Sequence, residues 1–294
     1  MKTSFLFPPK LKYLGALLAI PGFVLGYFVV YRNYEIPGFE IRLRAKSSIF
    51  LSAMENFTNE LALTLVIIGL LLVAFSRVKK EDELTAKMRL NALYWAILVN
   101  YILYAFIIVI TLLGSLLKDP PISAIIDDLT KNFDFYIYNL FTPLLIFTGR
   151  FYFLLLRNKN DFDLKPVLFL PNKPYRFLGK WISAIMVAAA IASFAFKWND
   201  VGYDAVFILP FSLLLWVYSR EKEEDEFISS TRLEAMQIAV YVNYAILLLS
   251  NFFVFGVDFL GVQLVNLVTI PLIFLIWFNF KVYRISREAE IKSI

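Results

Sequence analysis

The chain contains no cysteine and no histidine. Without thiols it forms no disulfide, no thiolate nucleophile, no Cys/His zinc site and no palmitoyl anchor. Without imidazole it has no histidine ligand for haem and no side chain that ordinarily titrates near neutral pH. A metal would have to be met by carboxylates, amides and carbonyls, and a proton path by Asp, Glu, Tyr or water. Charge is scarce as well. Asp, Glu, Lys and Arg make up 18% of the 294 residues, against about 25% in soluble domains. There is no glycine-rich phosphate loop, no Gly-x-Ser-x-Gly elbow and no kinase signature. No cofactor is expected, and enzymatic chemistry is disfavoured.

Apolar residues fill the space that charge leaves. They account for 60% of positions, and mean hydropathy is +0.67. They fall into blocks of roughly 17–25 residues, the length that crosses a ~30 Å hydrocarbon core as a helix. Spans are expected near 13–31, 58–75, 92–116, 135–156, 179–196, 203–218, 236–254 and 261–280. The first block is too long for a signal peptide, carries Pro21 and has no small-x-small cleavage site, so it reads as a retained, kinked span. The fold class is an all-α polytopic membrane protein of about eight transmembrane helices.

The cations divide unevenly among the connections. With the N-terminus inside, 22 of the 29 Lys and Arg fall on the inner side and 7 on the outer. That bias places both termini in the cytoplasm and points to a multi-pass plasma-membrane protein. The basic run Arg42–Lys46 lies on the outer side and reads as an amphipathic segment on the membrane surface. A net charge of +5 follows from topology and suits anionic lipid. With no nucleic-acid-binding signature present, nucleic acid is excluded as a partner.

An internal repeat is the most informative feature. Aligned without a gap, residues 76–101 and 219–244 agree at 13 of 26 positions. The shared residues include Ser76/Ser219, Arg77/Arg220, Lys79/Lys222, Glu81/Glu224, Asp82/Asp225, Glu83/Glu226, Arg89/Arg232 and Asn100/Asn243. Apolar bias alone cannot place so many polar residues in one register. Weaker echoes extend the match. Tyr13-Leu14-Gly15 resembles Phe177-Leu178-Gly179, Asn139-Leu140-x-Thr142 resembles Asn266-Leu267-x-Thr269, and Phe147, Phe151 and Arg157 match Phe274, Phe278 and Arg284. Pro143 and Pro271 fall at near-matching places in the last span of each half. Each half then holds four spans. Because four is even, the halves run parallel, as in proteins built from parallel repeats. The organisation expected is a first four-helix repeat over 1–157, a proline-containing cytoplasmic connector over 158–178, and a second four-helix repeat over 179–294.

Within the repeat, Asp82, Arg89, Ala92, Ala96 and Asn100 share one helical face, and Asp225, Arg232, Ala235, Ala239 and Asn243 repeat it. Alanines four apart allow close helix approach, and an embedded amide can hydrogen-bond across helices. Asn100 lies 11 residues beyond Arg89, or ~16 Å deeper at 1.5 Å per residue. The stripe is expected to pack helices or to line a cavity. The acidic clusters Glu81, Asp82, Glu83 and Glu224, Asp225, Glu226 sit at the cytoplasmic end. They suit a solvated helix, supported by Glu83–Lys87 and Arg220–Glu224 spaced four apart, a hard cation, or a basic protein partner. Few charges fall inside spans: Glu60, Asp134 and Arg150, each near enough to an interface to reach it.

Three functional classes follow. The leading expectation is a non-enzymatic sensing or scaffolding module that presents paired charged cytoplasmic helices to a protein partner. A transporter or channel with a site between the repeats near Asn100 and Asn243 is the second. A membrane enzyme acting on a lipid-linked substrate is the third.

Overall fold

The structure is a computed structural model. It describes residues 5–41, 55–78, 81–116, 140–157, 167, 169–196, 199–254 and 258–292. The Arg42–Lys46 run, Asp134 and Asn139 lie outside those residues.

The described residues form eight α-helices, a five-residue π-helical turn and a two-residue antiparallel ladder pairing Glu40–Ile41 with Glu55–Asn56. The helices are α1 Leu11–Arg32, α2 Thr58–Ala74, α3 Glu83–Leu116, α4 Thr142–Arg157, α5 Phe177–Phe196, α6 Asn199–Val217, α7 Glu226–Phe253 and α8 Asp258–Lys292. Five stretches are long and apolar enough to cross a membrane: Leu11–Arg32, Glu83–Ile107, Asn172–Ser193, Glu226–Phe253 and Gly261–Ile285. Thr58–Ala74 and Phe207–Val217 are apolar but shorter. The protein is therefore a helical, multi-pass membrane protein.

The helices divide into two compact units. One comprises 6–164 with 251–255, and the other 1–5, 165–250 and 256–294. In the first unit, α1 packs on α2 through small residues. Gly15, Ala19 and Gly22 are the buried positions of α1, spaced for one face. A Cβ added at Gly15 would lie 2.6 Å from the Gly69 carbonyl oxygen and 2.8 Å from the Val73 nitrogen. The two backbones touch, which is how membrane helices gain packing where lipid offers no hydrophobic drive. In the second unit α5 meets α6 in the same way, and a Cβ at Gly179 would lie 2.6 Å from the Trp216 nitrogen.

Each unit also ties the segment before its first helix to the end of its second by a short parallel bridge. Phe7 N donates to Phe75 O, and Arg77 N to Phe7 O; Leu170 N donates to Tyr218 O, and Arg220 N to Leu170 O. Gly15 lies eight positions after Phe7, whereas Gly179 lies nine after Leu170. The wider π-helical turn Asn172–Arg176 falls in this longer segment. The described end of the 158–178 stretch runs directly into α5.

Burial along α3 and α7 follows the helical period. Arg89, Ala92, Leu93, Ala96, Ile97, Asn100, Tyr101 and Tyr104 are buried on α3. Arg232, Ala235, Met236, Ala239, Val240, Asn243, Tyr244 and Leu247 are buried on α7, at the same places in the aligned register. Trp95, Ile102 and Phe106 face outward from α3, as do Val242, Ile246 and Leu249 from α7.

Candidate functional site

α3 and α7 each begin at a polar turn closed by an arginine. In the first unit, Asp82 caps α3: its Oδ1 accepts from Thr85 N at 2.8 Å and from Thr85 Oγ1 at 2.7 Å. A capping carboxylate satisfies an orphan amide and complements the positive end of the helix dipole. One residue earlier, Glu81 Oε2 accepts from Val78 N at 2.9 Å and so folds the turn. Arg89, two turns into the helix and wholly buried, reaches back. Its Nε donates to Glu81 Oε1 at 2.9 Å, Nη1 to Ala74 O at 2.8 Å and Nη2 to Ser76 O at 2.8 Å. Ala74 is the last residue of α2, so the guanidinium also neutralises carbonyls at that helix's negative end. Its flat face rests on the Phe151 ring of α4, 4.1 Å from the centroid. Planarity, five donors and weak hydration suit arginine to such a site.

The second unit builds the same arrangement. Asp225 Oδ1 accepts from Ile228 N at 2.7 Å, and Glu224 Oε1 from Glu221 N at 2.8 Å. Arg232 donates to Glu224 Oε1 at 2.7 Å, to Val217 O at 3.1 Å and to Ser219 O at 2.9 Å. It stacks on Phe278 at 5.1 Å and on Phe169 at 4.5 Å.

The members of each acidic cluster thus go separate ways. Glu81 and Glu224 are held by an arginine of their own unit, and Asp82 and Asp225 cap helices. Glu83 and Glu226 are exposed on the first turns of α3 and α7. Glu83 pairs with Lys87 at 2.6 Å as the spacing anticipates. The expected Arg220–Glu224 helical pair is corrected: residues 219–225 are not helical, so a spacing of four does not bring them together, and Glu224 turns inward to Arg232. Among the described residues, no group of three or more carboxylates is arranged to hold a metal ion.

Deeper along the stripe lie the amides. Asn100 is 2% exposed and Asn243 1%. The Oδ1 of Asn100 and both polar atoms of Asn243 have no hydrogen-bond partner among the described residues. Of the charges expected within spans, Arg150 does not simply reach outward. It donates to Asn91 Oδ1 at 2.9 Å and lies over the Trp95 ring at 4.9 Å. In the aligned register of the second unit, Glu234 replaces Asn91 and Trp277 replaces Arg150. Glu234 there accepts from Trp277 and pairs with Lys281.

Sequence reasoning missed two parts of this site. Phe151 and Phe278 stood out as echoes but not as platforms for arginine; their signal was their recurrence beside a repeated arginine. The backbone carbonyls that complete each arginine's shell leave no trace in residue identity. Comparison with protein-family models, curated proteins and solved structures finds no match.

Proposed function

We propose that the protein is a non-enzymatic scaffolding module of the plasma membrane. It comprises two parallel four-helix repeats, eight spans in all, with both termini cytoplasmic and two like acidic helix starts offered to one cytoplasmic protein. The observation carrying this reading is what the arginine-closed turns leave over. Glu81, Glu224, Arg89 and Arg232 are spent on one another and on carbonyls, so they are poorly placed to act on a substrate. Glu83 and Glu226 remain at the surface, and beside them Leu84 and Phe227 are 38% and 39% exposed. These are aligned positions, so each repeat shows the same pairing of an apolar side chain with carboxylates. A partner carrying basic residues around an apolar anchor complements both. The recurring backbone bridges, glycine contacts and arginine shells support two repeats, and the division of Lys and Arg supports the orientation.

Site-specific photocrosslinking in native membranes tests the reading. A photoreactive residue at 84 or at 227 is expected to give an adduct with the same protein, whereas one at the outward-facing Ile102 gives none. Glu83→Lys with Glu226→Lys is expected to abolish both adducts at unchanged thermal stability. Adducts that persist in that variant, or different partners at the two positions, would contradict the proposal.

A further inference from the structure

We propose that the second repeat holds a binding site for an uncharged amphiphile bearing a hydroxyl group, entered from the side of the bilayer. The site is a cavity of about 240 Å³ formed by α7 and α8, with Asn243, Ser250, Gly261, Asn266 and Thr269 among its lining residues. It stands independently of the cytoplasmic docking reading.

The polar groups of this cavity define the ligand's head. Asn243 is 1% exposed, and neither its Nδ2 nor its Oδ1 has a hydrogen-bond partner among the described residues. Asn266, 9% exposed, leaves its Oδ1 without one as well. Thr269 Oγ1 donates to Val265 O at 2.7 Å, which leaves its lone pairs available. An amide nitrogen with two N–H donors and several acceptor oxygens therefore line the same space. A hydroxyl, which donates once and accepts twice, matches that set. No Lys, Arg, Asp or Glu lines the cavity, so a charged head would be buried without a counter-charge and is excluded. Asn243 lies 11 residues beyond Arg232, ~16 Å along α7 from the polar turn.

The rest of the lining defines the ligand's body and its route. Ile246, Leu247, Val262 and Val265 supply an apolar wall. Ile246 and Val265 are 42% and 56% exposed, and Gly261 is exposed at the rim. The mouth therefore opens through side chains suited to acyl chains. A Cβ at Gly261 would meet no atom within 4 Å. This glycine serves no close packing and weakens the helix, yet a larger side chain there would stand in the opening. The two repeats also part company here. In the first unit α3 lies close against α4, whereas α7 and α8 stand further apart.

The test uses the full-length protein in phosphatidylcholine nanodiscs and octanol carrying a diazirine as the photolabel. Label is expected on residues 243–250 and 261–269. Excess octanol should lower it, while octane and octanoate at the same concentration should not. Dioleoylglycerol distinguishes the source: competition by it assigns the site to neutral lipid, and competition by octanol alone to a free alcohol. Asn243→Leu with Asn266→Leu is expected to reduce labelling about tenfold or more, as for loss of a good hydrogen bond. Gly261→Leu keeps both amides and should abolish labelling at an unchanged melting temperature, so a folding defect in the double variant leaves the test intact. Labelling that survives Gly261→Leu, or that octane or octanoate competes as well as octanol, overturns the proposal.

Discussion

Arg89 is buried on every side, yet each of its three guanidinium nitrogens has an acceptor. Its removal leaves Glu81 and two helix-end carbonyls without their donor. Breaking a buried pair from one side costs about 3–5 kcal/mol, so we expect Arg89→Leu to lower the detergent melting temperature sharply. Arg89→Lys should rescue little of it, because a point charge cannot serve two carbonyls and a carboxylate at once. The exposed Glu83–Lys87 pair sets the opposite limit: Lys87→Ala should leave the melting temperature essentially unchanged. Capping lies between, and Asp82→Ala should cost roughly 1 kcal/mol. Asn100 is a different case. If its amide serves packing alone, Asn100→Leu alters stability by about 1–2 kcal/mol or less, and crosslinking at position 84 persists in proportion to folded protein. The presence of these polar residues in one register was legible in the sequence, because a membrane span spends polar residues sparingly. Which carboxylate each arginine takes was not. That depends on the turn geometry at 76–82 and 219–225, where adjacent acids point in unrelated directions.

Among the elements, long apolar blocks translated directly into helices, since backbone hydrogen bonding in lipid leaves few alternatives. Helix starts were less legible. The charged stretch 219–225 has favourable helical spacing but remains irregular, because Glu224 and Asp225 bond to the backbone on either side and hold a turn. The tight pairing of α1 with α2 was hidden too. Gly15, Gly22 and Gly69 carry meaning only once two backbones meet. Gly15→Val should force α1 from α2, with an overpacking cost of about 1–3 kcal/mol or more. Gly179→Val should do the same for α5 and α6. A Cβ at Gly149 on α4 meets no neighbour within 4 Å, so Gly149→Ala should be neutral or raise the melting temperature by removing a flexible residue from a helix. Unfolding in detergent, followed by size-exclusion profiles, ranks the three.

For the whole molecule, the proposed topology makes a direct demand. The chain has no native thiol, so single cysteines report their side without background. Ser293→Cys should resist a membrane-impermeant maleimide on intact cells, and Ser123→Cys should react; both sites lie outside the described residues. The reverse pattern would invert every span. The membrane class and the polar residues shared between 76–101 and 219–244 could be read from composition and self-similarity. The cavity between α7 and α8 could not, because Asn243 and Asn266 lie far apart in sequence and converge only through packing.

The arginine that closes each polar turn also implies an order of events at the ribosome. Arg89 can reach Ala74, Ser76 and Glu81 soon after it is made, since all three precede it in the chain. Its stacking platform Phe151 is synthesised 62 residues later. Until then one face of the guanidinium lacks its aromatic cover. In the second unit Phe169 precedes Arg232, so one of its two aromatic platforms is already waiting when the arginine emerges.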